Sequence, residues 1–306
     1  MNKESVFVSA VVYTRDDADC IVQFIRSLST VFNDYFNNYE IIVVDDCSSE
    51  DIKKALINES SGIDGCLSIV RMSYPQGIQA ALNAGVDIAI GDFVFEFERT
   101  KTDFNLSLIM DIFYRELEGY DIVSAVPEKG VRLSSRLFYS IFNKSSGSRY
   151  PLSSESFRIV SRRAINRIGA MSDVLVYRKA FYRNSGLKCD IIKYDPIKTF
   201  KTSSLPEERS RLAIDSLILF TSVAYKLSLF MTVLMMSLAA FGGIYTLIIF
   251  FLGKPIEGWT TMMLLISAAF FGVFAILTIV IKYLSVLVSL VFTKSRYIIE
   301  GIDKLS

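Results

Sequence analysis

The stretch YEIIVVDDCSSED (residues 39–51) decides how this chain folds. Ile41, Ile42, Val43 and Val44 form an unbroken β-branched run, the pattern of a strand buried on both faces. The run stops at Asp45 and Asp46, and Ser48 and Ser49 follow just ahead of a helical segment. Carboxylates at the carboxyl end of a buried strand stand where open α/β sheets collect their ligands. Asp45 and Asp46 offer acceptors for a nucleoside, while the serines by themselves are also explained by helix capping.

The same alternation extends in both directions. Val6–Val12, Leu67–Arg71, Phe93–Glu98 and Asp121–Ala125 read as further strands. Ala18–Phe32, Asp51–Ile57, a small-residue helix and turn over 77–92, and Phe104–Glu118 read as the helices between them. Strands alternating with helices imply an α/β fold, a mostly parallel sheet covered on both faces. Asp16, Asp17 and Asp19 follow the first strand, where negative charge also suits a helix N-terminus. KGVRLSSRLFYSIFNKSS (129–146) reads as a basic amphipathic helix, and SSESFRIVSRRAINRIG (153–169) as a short strand entering a basic helix.

Composition narrows the chemistry. The 306 residues carry 33 Lys and Arg against 32 Asp and Glu, so no global attraction to nucleic acid is expected. There is no histidine, which excludes His-based triads, His-ligated zinc and imidazole acid–base chemistry. Four scattered cysteines without a C-x-x-C pair fit free thiols in a reducing compartment. The opening MNKESVFVSAVVY lacks the basic region, apolar core and cleavage site of a signal peptide.

The mean hydropathy of +0.38 has a local source. Residues 227–253 and 258–281 are uncharged runs of 27 and 24 residues, joined by KPIE. Each exceeds the ~20 apolar residues that cross a ~30 Å hydrocarbon core. Residues 206–226 mix charge with an apolar face, as an interfacial helix does. Arg209, Arg211 and Lys226 precede the first run, Lys282, Lys294, Arg296 and Lys304 follow the second, and only Lys254 lies between. The positive-inside rule then puts both termini and the α/β domain in the cytoplasm. The expected organisation is a domain over 1–205, an interfacial helix over 206–226, two spans within 227–293 and a tail over 294–306.

The order of these parts carries a resemblance. YEIIVVDDCSSED, GIQAALNAG with IAIGDFVFEFE, the arginine-serine helix, SFRIVSRR and the C-terminal hairpin together resemble a family 2 glycosyltransferase of the GT-A, Rossmann-like fold. More narrowly, the chain is similar to bacterial polyprenyl-phosphate glycosyltransferases related to dolichyl-phosphate mannose synthase. The resemblance implies an inner-membrane enzyme taking a sugar from a nucleotide sugar to a polyprenyl phosphate, with inversion, and a homo-oligomer. It places Asp17, Asp45 and Asp46 at the nucleotide, and Arg132, Arg136 and Arg162 at phosphates. Gly77 and Ala81 match the tightly packed third helix.

The chain departs from the family at two places. Where the family reads GD-Y-V-x-x-L-D-x-D, this chain reads GDFVFEFERT, so the metal-motif carboxylates become Glu98 and Thr100. Asp103 has a family counterpart and offers a second carboxylate for Mg²⁺ or Mn²⁺. Arg99 and Lys101 offer an alternative, neutralising diphosphate without a metal; decay of the metal site is the other reading. The acidic residue before F-R-L in the family, a base or acceptor-site carboxylate, is Ser156 here, with Glu155 one residue earlier and Arg158 retained. These departures leave two readings: a working transferase, with Ser156, Glu155 and Arg158 at its catalytic centre, or a non-catalytic relative that binds or regulates a partner.

Overall fold

The computed structural model describes residues 3–60, 63, 65–129, 133–145, 150–171, 177–197 and 297–305, with scattered positions between 230 and 287. The long apolar run of β2 (Phe36–Asp45) pairs in parallel with β1 (Glu4–Thr14) and with β3 (Cys66–Met72). β1 also pairs in parallel with β4 (Phe93–Phe97). These four strands form the expected parallel core, and three of their carboxyl ends carry the acidic residues singled out above.

The rest of the sheet is less regular than the alternation suggests. β5 (Ile122–Pro127) does not pair with β4, because β6 (Phe157–Ser161) lies between them, antiparallel to both. β7 (Cys189–Tyr194) extends that side in parallel with β5. At the opposite edge β8 (Ile299–Lys304), expected only as a charged tail, pairs antiparallel with β3. The eight strands run in the order β7-β5-β6-β4-β1-β2-β3-β8.

Strand pleat assigns the two faces. Phe95 and Phe97 of β4 join a core with Phe24, Phe32, Phe104, Phe113 and Phe157, beneath α1 (Ala18–Tyr35), α2 (Ile52–Ser60) and α4 (Ser107–Leu117). Ring centroids lie 5.1 Å apart for Phe97–Phe157 and 4.5 Å for Phe104–Phe157. The other face packs Val11, Val44, Val70 and Val94 against α3 (Ile78–Ile88). That helix lies close to the sheet because it is built of small residues. A Cβ at Gly85 would stand 2.3 Å from Val11 Cγ1.

β4 carries its acids on one face. Val94, Glu96 and Glu98 point away from the aromatic face, toward the side covered by α3 and by α7 (Arg178–Asn184). α5 (Leu133–Ser145) and α6 (Arg162–Met171) complete the described helices of this unit.

Residues 207–293, with 144–147, form a second compact unit. The interfacial helix over 206–226 lies outside the described residues, and the two expected spans are described only at scattered positions. Among the described residues no helix is long and apolar enough to cross a membrane. Within this unit Gly272 lies against Met235, such that a Cβ there would fall 2.4 Å from Met235 Cγ. Met262, Ile266, Phe270, Val273, Leu277, Val280, Leu284 and Leu287 are spaced by three or four and are all exposed.

Candidate active site

The carboxyl ends of β1, β2 and β4 bring three loops together. In the first, Asp16 adopts φ +50°, a left-handed conformation that aspartate tolerates better than most residues. This turn aims its Oδ1 at the second loop, where it accepts from Ser49 N–H and Ser49 Oγ, both at 2.7 Å. Those two donors hold the Asp16 carboxyl below its ordinary value. Ser48 Oγ accepts from Asp16 N–H at 2.9 Å and donates to Asp45 Oδ1. The third loop is tied to the first by Thr100, whose hydroxyl donates to Asp17, and by Lys101, 3.7 Å from Asp17. Thr100 and Asp17 are thus joined at one end of the sheet, and Ser48 links Asp45 to the neighbouring Asp16.

The two aspartates after β2 have different tasks. Asp46 is fully buried and accepts from Gln76 N–H at 2.7 Å, Gly77 N–H at 3.0 Å and Tyr13 OH at 3.2 Å. It therefore fixes the turn into α3, where Gly77 has φ +86°. That is a structural role in the turn. Asp45 is held by Ser48 alone in the described contacts, and burial raises its carboxyl pKa despite those donors. Both of the donors on Asp45 fall on its Oδ1.

Behind the β4 end lies a buried cluster of ions. Arg158 of β6 is the register partner of Glu96 on β4 and is fully buried. Its Nη1 donates to Glu96 Oε2 at 2.9 Å, its Nε to Glu155 Oε2 at 3.0 Å, and its Nη2 to Glu98. α7 closes the cluster: Arg178 and the Tyr182 hydroxyl bind Glu96, and Lys179 Nζ lies 3.0 Å from Glu98 Oε2. Arg183 Nη2 stands 2.9 Å from Glu155 Oε1. Burial favours the neutral acids, yet Lys179 and Arg158 hold Glu98 below its ordinary value. Likewise Arg158, Arg183 and Lys179 overcome burial and hold Glu155 down to about 2.

This arrangement corrects several expectations. Arg158 cannot reach a substrate phosphate, since three carboxylates already surround it. Glu155 is a poor base, because it is paired with two guanidiniums and held ionised to low pH. Arg162 donates to the carbonyls of Ala89 and Gly91, at 2.7 and 2.6 Å, and so braces the entry to β4. Ser156 is buried and joins a hydroxyl relay with Tyr194, which donates to Asp103 Oδ1 at 2.7 Å. Arg136 is exposed on α5, Arg99 is half-buried after β4, and Arg132 lies outside the described residues.

The fit for a divalent cation follows from these contacts. Mg²⁺ and Mn²⁺ need carboxylate oxygens free to coordinate. Both Glu98 oxygens face cations, and one Asp103 oxygen accepts from Tyr194. Among the described residues no three acidic or thiol side chains converge as a metal site. Glu98 and Asp103 as arranged do not fit a bound metal ion.

Sequence reasoning missed Arg178, Lys179, Tyr182, Arg183 and Tyr194. YRKAFYRN (177–184) reads locally as a surface basic helix. Its one signal is the interleaving of Tyr177, Phe181 and Tyr182 with the basic residues at helical spacing, which marks a buried side.

Residues 9–97, from within β1 to the end of β4, match the family described as Glycosyl transferase family 2. Over 305 residues the chain is 23% identical to the uncharacterized glycosyltransferase YkcC of Bacillus subtilis, covering 95% of this chain and 93% of that one. It is 22% identical over 244 residues to the bactoprenol glucosyl transferase of Shigella phage SfX, covering 76% and 78%. Among solved structures, glucosyl-3-phosphoglycerate synthase of M. tuberculosis superimposes with a TM-score of 0.49 at 15% identity, over 70% of this chain and 78% of that one.

Proposed function

We propose that this chain, a family 2 glycosyltransferase, moves a sugar from a nucleotide-sugar donor to a polyprenyl phosphate at the cytoplasmic face of a bacterial-type inner membrane. The observation that carries the donor half is the junction of the β1, β2 and β4 loops, where Thr100 binds Asp17 and Ser48 ties Asp45 to Asp16. An acceptor of the polyprenyl-phosphate class is supported by the relatives that bear the bactoprenol name. The 27- and 24-residue uncharged runs, the packing of Gly272 on Met235 and the regularly spaced exposed apolar residues support a membrane hairpin. The distribution of basic residues supports the cytoplasmic placement.

In this reading an oxygen of the lipid phosphate attacks the anomeric carbon. The bond from that carbon to the donor diphosphate breaks with inversion, and nucleoside diphosphate leaves with the bonding pair. A phosphate monoester is already anionic at neutral pH, so the attack needs no protein base. That agrees with a site in which Ser156 replaces the family's carboxylate and Glu155 is locked in ion pairs. Asp45 orients the nucleoside, and the exposed Arg136 on α5 receives phosphate.

The test is transfer of labelled sugar from a panel of nucleotide sugars to undecaprenyl phosphate by the detergent-solubilised protein. A lipid-linked sugar formed from one donor is the expected result; none from any donor overturns the reading. For placement, the exposed Cys47 thiol gives a label site. A membrane-impermeant maleimide should modify it only after intact cells are permeabilised.

A further inference from the structure

At the β4 end an ammonium is seated on Glu98, the carboxylate that the family resemblance assigns to a divalent cation. Lys179 Nζ lies 3.0 Å from Glu98 Oε2, and its side chain is 7% exposed. The other Glu98 oxygen is taken by Arg158, which is itself fully enclosed. Register explains the convergence: Glu96 and Glu98 share one face of β4, Arg158 comes from the adjacent strand, and α7 covers both. A metal bound by Glu98 would have to displace two cations already in contact with it, at a cost in buried, unpaired charge.

We propose that Lys179, seated on Glu98, performs the metal's electrostatic task, so that the chain binds a nucleoside diphosphate without a divalent cation. This rests on the nucleotide-sugar reading above. An ammonium has three N–H donors, and Glu98 engages one of them. The remaining donors can face diphosphate oxygens, as a carboxylate-held metal would, and preorganised positive charge there stabilises a leaving diphosphate. Glu98 thereby changes role, from metal ligand to the group that orients Lys179. Thr100 fits this exchange, since its hydroxyl donates to Asp17.

Two measurements on the full-length, detergent-solubilised protein test the proposal. The first is Mn²⁺ titration followed by electron paramagnetic resonance, comparing wild type with Glu98→Gln. The expected result is identical isotherms; a stoichiometric Mn²⁺ site in the wild type that E98Q removes overturns the proposal. The second is binding of a panel of nucleoside diphosphates in Mn²⁺ and in chelator. Equal affinity in both is expected. Lys179→Met should weaken binding by roughly tenfold or more, the size of a lost charge-assisted contact, and Lys179→Arg should retain it. K179R keeps the test open if K179M fails to fold. Affinity that requires Mn²⁺, or that survives in folded K179M, overturns the proposal. No binding under either condition overturns both Lys179's task and the donor reading. The Mn²⁺ titration tells that failure apart from a working metal site.

Discussion

Glu96 and Arg158 face each other directly across β4 and β6, and their side chains pair at 2.9 Å with neither exposed. This pair is the centre of the ion cluster, and it sits where the sequence suggests a site open to ligand. Arg158→Met removes one cation from three carboxylates at once. Leaving buried charge unpaired costs about 3–5 kcal/mol. The expected result is a lower denaturant midpoint and, in the weakest background, loss of the folded protein. An R158M variant as stable as wild type would show that the cluster is open to water.

Glu155 gives a pH prediction with a definite sign. Its folded-state pKa is depressed to about 2 from a usual 4.5. Its pairing therefore stabilises the fold above 4.5 and is lost as pH falls from there toward 2. Glu155→Gln should reduce stability at neutral pH and flatten the acid side of the stability curve. If Glu155 were a catalytic base, E155Q would abolish transfer and erase a limb of the pH–rate profile; a folded E155Q with an unchanged profile is expected.

Glu116 carries the opposite sign. It is buried on α4, with both carboxylate oxygens lacking a hydrogen-bond partner, and burial, with the charge of Asp121, raises its pKa well above 4.5. A raised acid pKa means the fold is more stable below 4.5 and loses stability as pH rises through the folded value. Glu116→Gln should therefore raise the melting temperature at neutral pH and leave it nearly unchanged in acid. A melting temperature that falls at neutral pH would mean that a partner for Glu116 exists.

Asp45 and Asp46 are adjacent and should separate cleanly. Asp46→Ala strips acceptors from Gln76 N–H, Gly77 N–H and Tyr13 OH, and each buried donor left unmade costs about 1–3 kcal/mol. Thermal melting should show that loss. Asp45→Asn keeps the Ser48 contacts within reach and should leave melting nearly intact while weakening nucleotide affinity. Thermal shift with and without nucleoside diphosphate reads both effects, and a reversed pattern would exchange the two roles.

Much of the fold is legible in the residues themselves. The IIVV run, the small-residue helix before GDFVFEF and the alternation in between specify the parallel core and its helices, because apolar periodicity acts between neighbours in sequence. The acidic loop ends were legible for the same reason: the apolar run of β2 gives way to Asp45 and Asp46, and the strand ends at Asp45. The antiparallel β6 and the closing β8 were not, since strand pairing partners are chosen across the whole chain. Nor was the fate of the carboxylates. Glu98 reads as a metal ligand in sequence, and only tertiary structure brings Lys179, from a helix 81 positions later, to its oxygen. The sequence by itself determined which apolar runs form the buried parallel strands, because their burial follows local hydrophobic pattern. The tertiary structure decided what each buried charge is paired with, because Coulombic partners are set by distance in space.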